Sequence, residues 1–184
     1  GGGGGFNVDG SPAGFAMQTA EKTFAGYTFT VRNRGGHSSK PRKDNAIYSL
    51  AHALDKLEAY RFQPMMNETT RAYFEGRQKL EKGPLGDAMR RWLANPNDGA
   101  AADIVEASPI DVGLTRTRCV ATMLKGGHAD NALPQSATAT VNCRIFPGVQ
   151  PAEVQAELQK LVGPKVEVKP DPNYIGIPTP ASPL

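Results

Sequence analysis

Tyr27-Thr28-Phe29-Thr30-Val31-Arg32 and Asn45-Ala46-Ile47-Tyr48-Ser49-Leu50-Ala51-His52-Ala53-Leu54-Asp55-Lys56-Leu57 decide the fold, because the hydrophobic period changes between them. In the first stretch Tyr27, Phe29 and Val31 alternate with Thr28, Thr30 and Arg32, which is the pattern of a strand with one buried face. In the second, Ile47, Leu50, Leu54 and Leu57 recur at three and four residues, the pattern of a helix with one apolar face. Asp44 or Asn45 is placed to cap its first turn. The junction is Arg34-Gly35-Gly36-His37-Ser38-Ser39-Lys40-Pro41. Paired glycines allow a sharp turn, and Pro41 keeps the residue before it extended. A histidine held there can point out of the domain.

Further along, strands are expected at about residues 116–125, 135–146 and 166–169. In the second of these Ala137, Ala139, Val141, Cys143 and Ile145 face one way, and Ser136, Thr138, Thr140, Asn142 and Arg144 the other. Pro151 near a first helical position opens a second helix carrying Val154, Leu158, Leu161 and Val162, and Gly163-Pro164 ends it. The order is β-α-β-β-α-β, so the fold class is α+β, a ferredoxin-like four-stranded antiparallel sheet with two helices on one face. Residues 61–112 exceed the minimal unit. A structureless loop of that length is improbable, so they read as a helical insertion with a small core of Tyr73, Phe74 and Trp92.

The 184 residues make one domain of about 23–170, flanked by connections at 1–22 and 171–184. The glycine-rich start has no strand before it, and the end is proline-spaced. With 39% hydrophobic and 21% charged residues the composition is that of an ordinary globular domain. A net charge of +3 with scattered basic residues argues against nucleic acid. No apolar run approaches a membrane span, and no signal peptide opens the chain. Cys119 and Cys143 share no metal-type spacing with His37, His52 or His128 and read as buried free thiols. That suits a reducing, cytoplasmic compartment, although an N-terminal address would lie upstream of Gly1.

Two constellations could carry chemistry. The first is the His37 loop. The second is Lys125-Gly126-Gly127-His128-Ala129-Asp130-Asn131-Ala132-Leu133-Pro134, followed by Asn142-Cys143-Arg144. Asn131 offers an amide, and Arg144 a fork for a carboxylate. Each also has a plain reading: His37 as a surface imidazole, Asn131 as a turn residue, Arg144 as a solvated strand residue. Zinc-protease, nucleotide-loop and serine-hydrolase motifs are absent. Alone, the chain holds donors and no complete active site.

Gly35-Gly36-His37-Ser38-Ser39 with Pro41, Asn45 and Ala46, then Gly126-Gly127 with Asn131-Ala132-Leu133-Pro134, then Asn142 and Arg144, resemble one known domain. It is the lid, or dimerisation, domain of the di-zinc M20 metallopeptidases, relatives of aminoacylase, carboxypeptidase G and succinyl-diaminopimelate desuccinylase. The resemblance implies a lid whose catalytic domain, with its two zinc ions, lies outside this sequence. The fragment then has no cofactor of its own and is not catalytic alone. It implies that His37 stabilises an oxyanion in the partner subunit's site, that Gly127, Asn131 and Arg144 hold substrate, and that the substrate is a peptide or N-acyl amino acid. It also implies a homodimer formed through this domain, by extended sheets or packed helices.

Two other readings compete. One is a stand-alone ferredoxin-like regulatory module that binds an amino-acid-like anion through Arg144 and the glycine turns. The other is an RNA-binding sheet, which fares worst because the open face offers Thr, Asn and Arg where stacking aromatics are needed.

Overall fold

A computed structural model describes residues 2–6, 10, 12–17 and 21–176. The elements are β1 (Gly2–Phe6), β2 (Pro12–Met17), β3 (Thr23–Arg32), β4 (Gly36–His37), α1 (Ala46–Ala59), α2 (Glu68–Leu80), α3 (Gly83–Ala94), α4 (Gly99–Glu106), β5 (Arg118–Gly126), β6 (Ala132–Leu133), β7 (Ser136–Ile145), α5 (Pro151–Val162) and β8 (Glu167–Ile175). The main sheet has four strands in the order β5-β7-β3-β8, each paired antiparallel to its neighbour. This is the expected ferredoxin-like arrangement.

The alternation seen in sequence places the core. Ala25, Tyr27, Phe29 and Val31 of β3 and Ala137, Ala139, Val141, Cys143 and Ile145 of β7 are buried in one cluster. Leu50, Ala53 and Leu57 of α1 and Val154, Leu158 and Val162 of α5 close over them. The ladder runs unbroken from Thr23 opposite Ile145 to Arg32 opposite Ser136. Tyr27 is fully buried yet satisfied, because its hydroxyl donates to the Pro151 carbonyl at 2.7 Å. Asn45, the second of the two capping candidates, caps α1 by accepting from the backbone N–H of Ile47 at 2.9 Å. Asp44 pairs with Arg42 instead.

The 61–112 insertion folds into α2, α3 and α4 around a second core of Phe74, Met89, Trp92 and Val105. Phe74 and Trp92 meet edge-to-face at 5.1 Å. Tyr73, expected in that core, is 38% exposed, and its hydroxyl reaches the buried Asp111 at 3.0 Å. The insertion is tied to the sheet by charge. Buried Arg116 meets Asp103 at 2.7 Å and Glu106 at 3.1 Å, and Glu106 also takes Arg118 at 2.6 Å. Lys22 donates to the Arg116 carbonyl, and burial pushes its amine down to about 8.

The expectation of free thiols is overturned. Cys119 and Cys143 form a disulfide. They are directly opposed on β5 and β7 with Cα atoms 4.1 Å apart, so the register brings the two sulfurs face to face. The argument from free thiols for a reducing compartment falls with them. Within the glycine-rich start, read from composition as a connection, β1 and β2 form an antiparallel ribbon. At the other end β8 runs to Ile175, beyond residue 170, and residues 177–184 lie outside the described residues. No described helix is long and apolar enough to cross a membrane.

Candidate functional site

The two loops singled out in the sequence come together. β4 and β6 pair antiparallel, with His37 opposite Ala132 and Gly36 opposite Leu133. The Ser38 N–H donates to the Asn131 carbonyl at 2.9 Å, and the Asn33 N–H to the Gln135 carbonyl at 2.8 Å. This short ladder fixes the His37 turn against the Asn131 turn beyond the end of the main sheet. Gly35 is required for it. Its φ is +72°, and a Cβ there would lie 2.7 Å from Gln135 Cγ.

His37 is exposed and oriented by its own turn. Its Nδ1 accepts the Ser39 backbone N–H at 3.2 Å and lies 2.8 Å from the Ser39 hydroxyl. An amide N–H can only donate, so a neutral ring carries its proton on Nε2. Nε2 has no hydrogen-bond partner among the described residues and is free to donate outward. Asn131 is exposed beside it with its side-chain amide uncommitted among the described residues. Gly127, with φ +77°, lines a shallow depression with Ile47, Tyr48, His128, Leu133 and Pro134.

Arg144 is elsewhere. It is exposed on the open face, opposite Phe24 on β3 and Arg118 on β5. Its guanidinium carbon lies 5.9 Å from the Phe24 ring centroid. Ser136 marks the end of β7 near the His37 turn. Arg144 is eight residues further along, about 27 Å at about 3.4 Å per residue. One copy of the chain therefore joins the His37 and Asn131 turns, leaves Gly127 in the depression lined by Ala132 and Leu133, and holds Arg144 apart.

The sequence reading missed Ser39 as the group that orients His37, although its spacing of two residues is that of a local side-chain turn. It also missed Phe24 and Arg118 as the setting of Arg144, since both depend on register. Among the described residues no three His, Cys, Asp or Glu side chains group closely enough to hold a metal ion. Among the described residues, those present do not fit a zinc centre.

The peptidase dimerisation domain family matches residues 19–169. The chain is 33% identical over 146 residues to the N-fatty-acyl-amino acid synthase/hydrolase PM20D1 of Xenopus tropicalis, covering 78% of this chain and 28% of that protein. It is 35% identical over 116 residues to the probable carboxypeptidase S-like 2 of Dictyostelium discoideum, covering 62% and 21%. It thus spans under a third of either relative's length. The solved M20 family metallo-carboxypeptidase Sso-CP2 from Sulfolobus solfataricus aligns with a TM-score of 0.48 at 16% identity, over 82% of this chain and 43% of that one. Element order, paired motif loops and the family match converge: the chain belongs to the dimerisation-domain family of the M20 peptidases.

Proposed function

We propose that this domain is the lid and dimerisation unit of an M20 amidohydrolase, completing reaction centres that each draw on two copies of the chain. The observation that carries the reading is the wide separation of Arg144 from the His37 and Asn131 turns. Two groups so far apart cannot grip one small substrate from a single copy. They can from two.

The sheet offers the means. β5 is an edge strand, and Val120, Met123 and Leu124 on it are more than half exposed. An unpaired edge invites pairing with another copy. A two-fold axis at mid-strand would set the Gly126 end of one β5 against the Arg118 end of the other. Arg144 lies one strand beyond Arg118, so neighbouring spacings of about 4.8 Å bring it laterally within about 10 Å of the partner's Gly126 end.

In this reading the His37 Nε2–H of one copy donates to the carbonyl oxygen of the scissile amide as charge grows on it. Asn131 and Gly127, in the same turn region, position the substrate beside it. Arg144 of the other copy takes the substrate carboxylate as a bidentate fork. Substrates of that form are peptides with a free C-terminus or N-acyl amino acids, in keeping with the names of the relatives. The zinc ions of such enzymes would sit in a catalytic domain outside this sequence. In the full-length protein, His37→Ala should lower kcat/KM by about a hundredfold or more while the dimer persists, as losing a preorganised oxyanion donor does. Near-normal kcat/KM would remove the role.

A further inference from the structure

Beside the N-terminal half of β5 is a cavity of about 420 Å³. Its apolar lining includes Leu54, Leu57, Phe62, Val120 and Ala121, and its polar lining includes Glu58 and Arg61. Arg61 donates only to the carbonyls of Glu58, at 2.9 Å, and Tyr60, at 3.1 Å, and has no carboxylate partner among the described residues. At the opposite end of the same helix and strand two large apolar side chains stand exposed. Tyr48 is 65% exposed and Ile47 42%, and Ile47 rests on Gly126, whose Cβ would lie 3.1 Å from Ile47 Cγ1. The core uses neither side chain.

α1 runs antiparallel to β5. Its first turn lies at Gly126, and its last turn lies at the cavity near Cys119. A two-fold axis through the middle of β5 therefore maps the first turn of one α1 onto the last turn of its partner's. At about 1.5 Å per residue, Tyr48 and Tyr60 are about equally far, roughly 9 Å, from Leu54, which lines the cavity with Ala121 near the middle of β5. Exposed aromatic and hollow are thus exchanged by the operation that pairs the strands, as an isologous interface requires.

We propose that in the dimer Tyr48 of each copy seats in the other copy's cavity, with its ring against Leu54, Phe62 and Val120 and its hydroxyl toward Arg61. The proposal rests on the dimer reading above and adds the residues that hold it. An aromatic anchor of this kind buries roughly 150–250 Å² and belongs to the residue types that dominate interface energetics.

The test uses the full-length protein. Tyr48→Cys and Arg61→Cys are made separately, mixed and oxidised with copper phenanthroline, while sedimentation reports the oligomer. The expected result is a covalent dimer in the mixture and in neither variant alone. Tyr48→Ala should weaken the dimer at least about tenfold, and Tyr48→Phe should retain it. A dimer that persists without cross-linking, or is unmoved by Tyr48→Ala, overturns the seating and leaves the shared-site reading standing. A protein that is monomeric throughout sinks both.

Discussion

His37 and Ser39 are held in one turn, with the imidazole Nδ1 taking the Ser39 backbone N–H at 3.2 Å and lying 2.8 Å from its hydroxyl. The amide contact selects the tautomer, and the hydroxyl steadies the ring. In the full-length enzyme Ser39→Ala should therefore lower kcat by about fivefold, the worth of one hydrogen bond of about 1 kcal/mol. His37→Ala should cost far more. Steady-state kinetics of the two variants gives the comparison, and an equal loss in both would contradict the division of labour.

Lys22 gives a pH dependence of definite sign. Burial is the main cause that lowers its amine from the ordinary 10.5 to about 8, with Glu106 opposing and Arg118 assisting. Between those values the unfolded chain binds a proton that the folded chain has released, so stability rises with pH across the window. Below pH 8 both states hold the proton, and the penalty is constant. Lys22→Met removes the effect. Urea unfolding at pH 7.5 and 10.5 should show the wild type gaining up to about 3 kcal/mol on the variant.

The Cys119–Cys143 bridge fastens the edge strand β5 to β7. Replacing both cysteines by serine, or reducing the wild type, should lower unfolding stability by about 2–4 kcal/mol. Thermal melts with and without dithiothreitol check this. The melting temperature of the wild type should fall on reduction, and that of the double variant should not move.

The insertion has its own core, so damage there should stay local. Trp92 is fully buried against Phe74, and its indole N–H donates to the Pro96 carbonyl at 3.2 Å. Trp92→Ala should destabilise α2, α3 and α4 by about 3–5 kcal/mol. Hydrogen exchange should show protection lost in residues 61–112 and kept in β3 and β7.

The sequence made the sheet legible because period-two alternation in β3 and β7 is strict, with each apolar residue meeting its counterpart across an unbroken ladder. The helices were legible through Leu50, Leu54 and Leu57, and through Pro151 at a helix start. The disulfide was readable in principle. Cys119 and Cys143 stand equally far from Asn131, at the turn of a hairpin, but that symmetry has meaning only once β5 and β7 are known to pair. Register is tertiary information, and the bulge between Ala121 and Met123 shifts it by one. The β4–β6 ladder could not be read either, since two residues on each side carry no periodic signal. Within the candidate site, residue types were legible and distances were not. His37, Asn131 and Arg144 stood out as donors, but only the length of β7 puts Arg144 at the far end.

The most direct test is complementation between two inactive full-length variants, His37→Ala and Arg144→Ala. If each reaction centre takes its imidazole from one copy and its guanidinium from the other, a mixed dimer contains one intact centre and one doubly damaged one. Random exchange of subunits should then restore about a quarter of wild-type activity. Activity in the mixture no higher than in either variant alone, with mixed dimers demonstrated in the sample, would contradict the account.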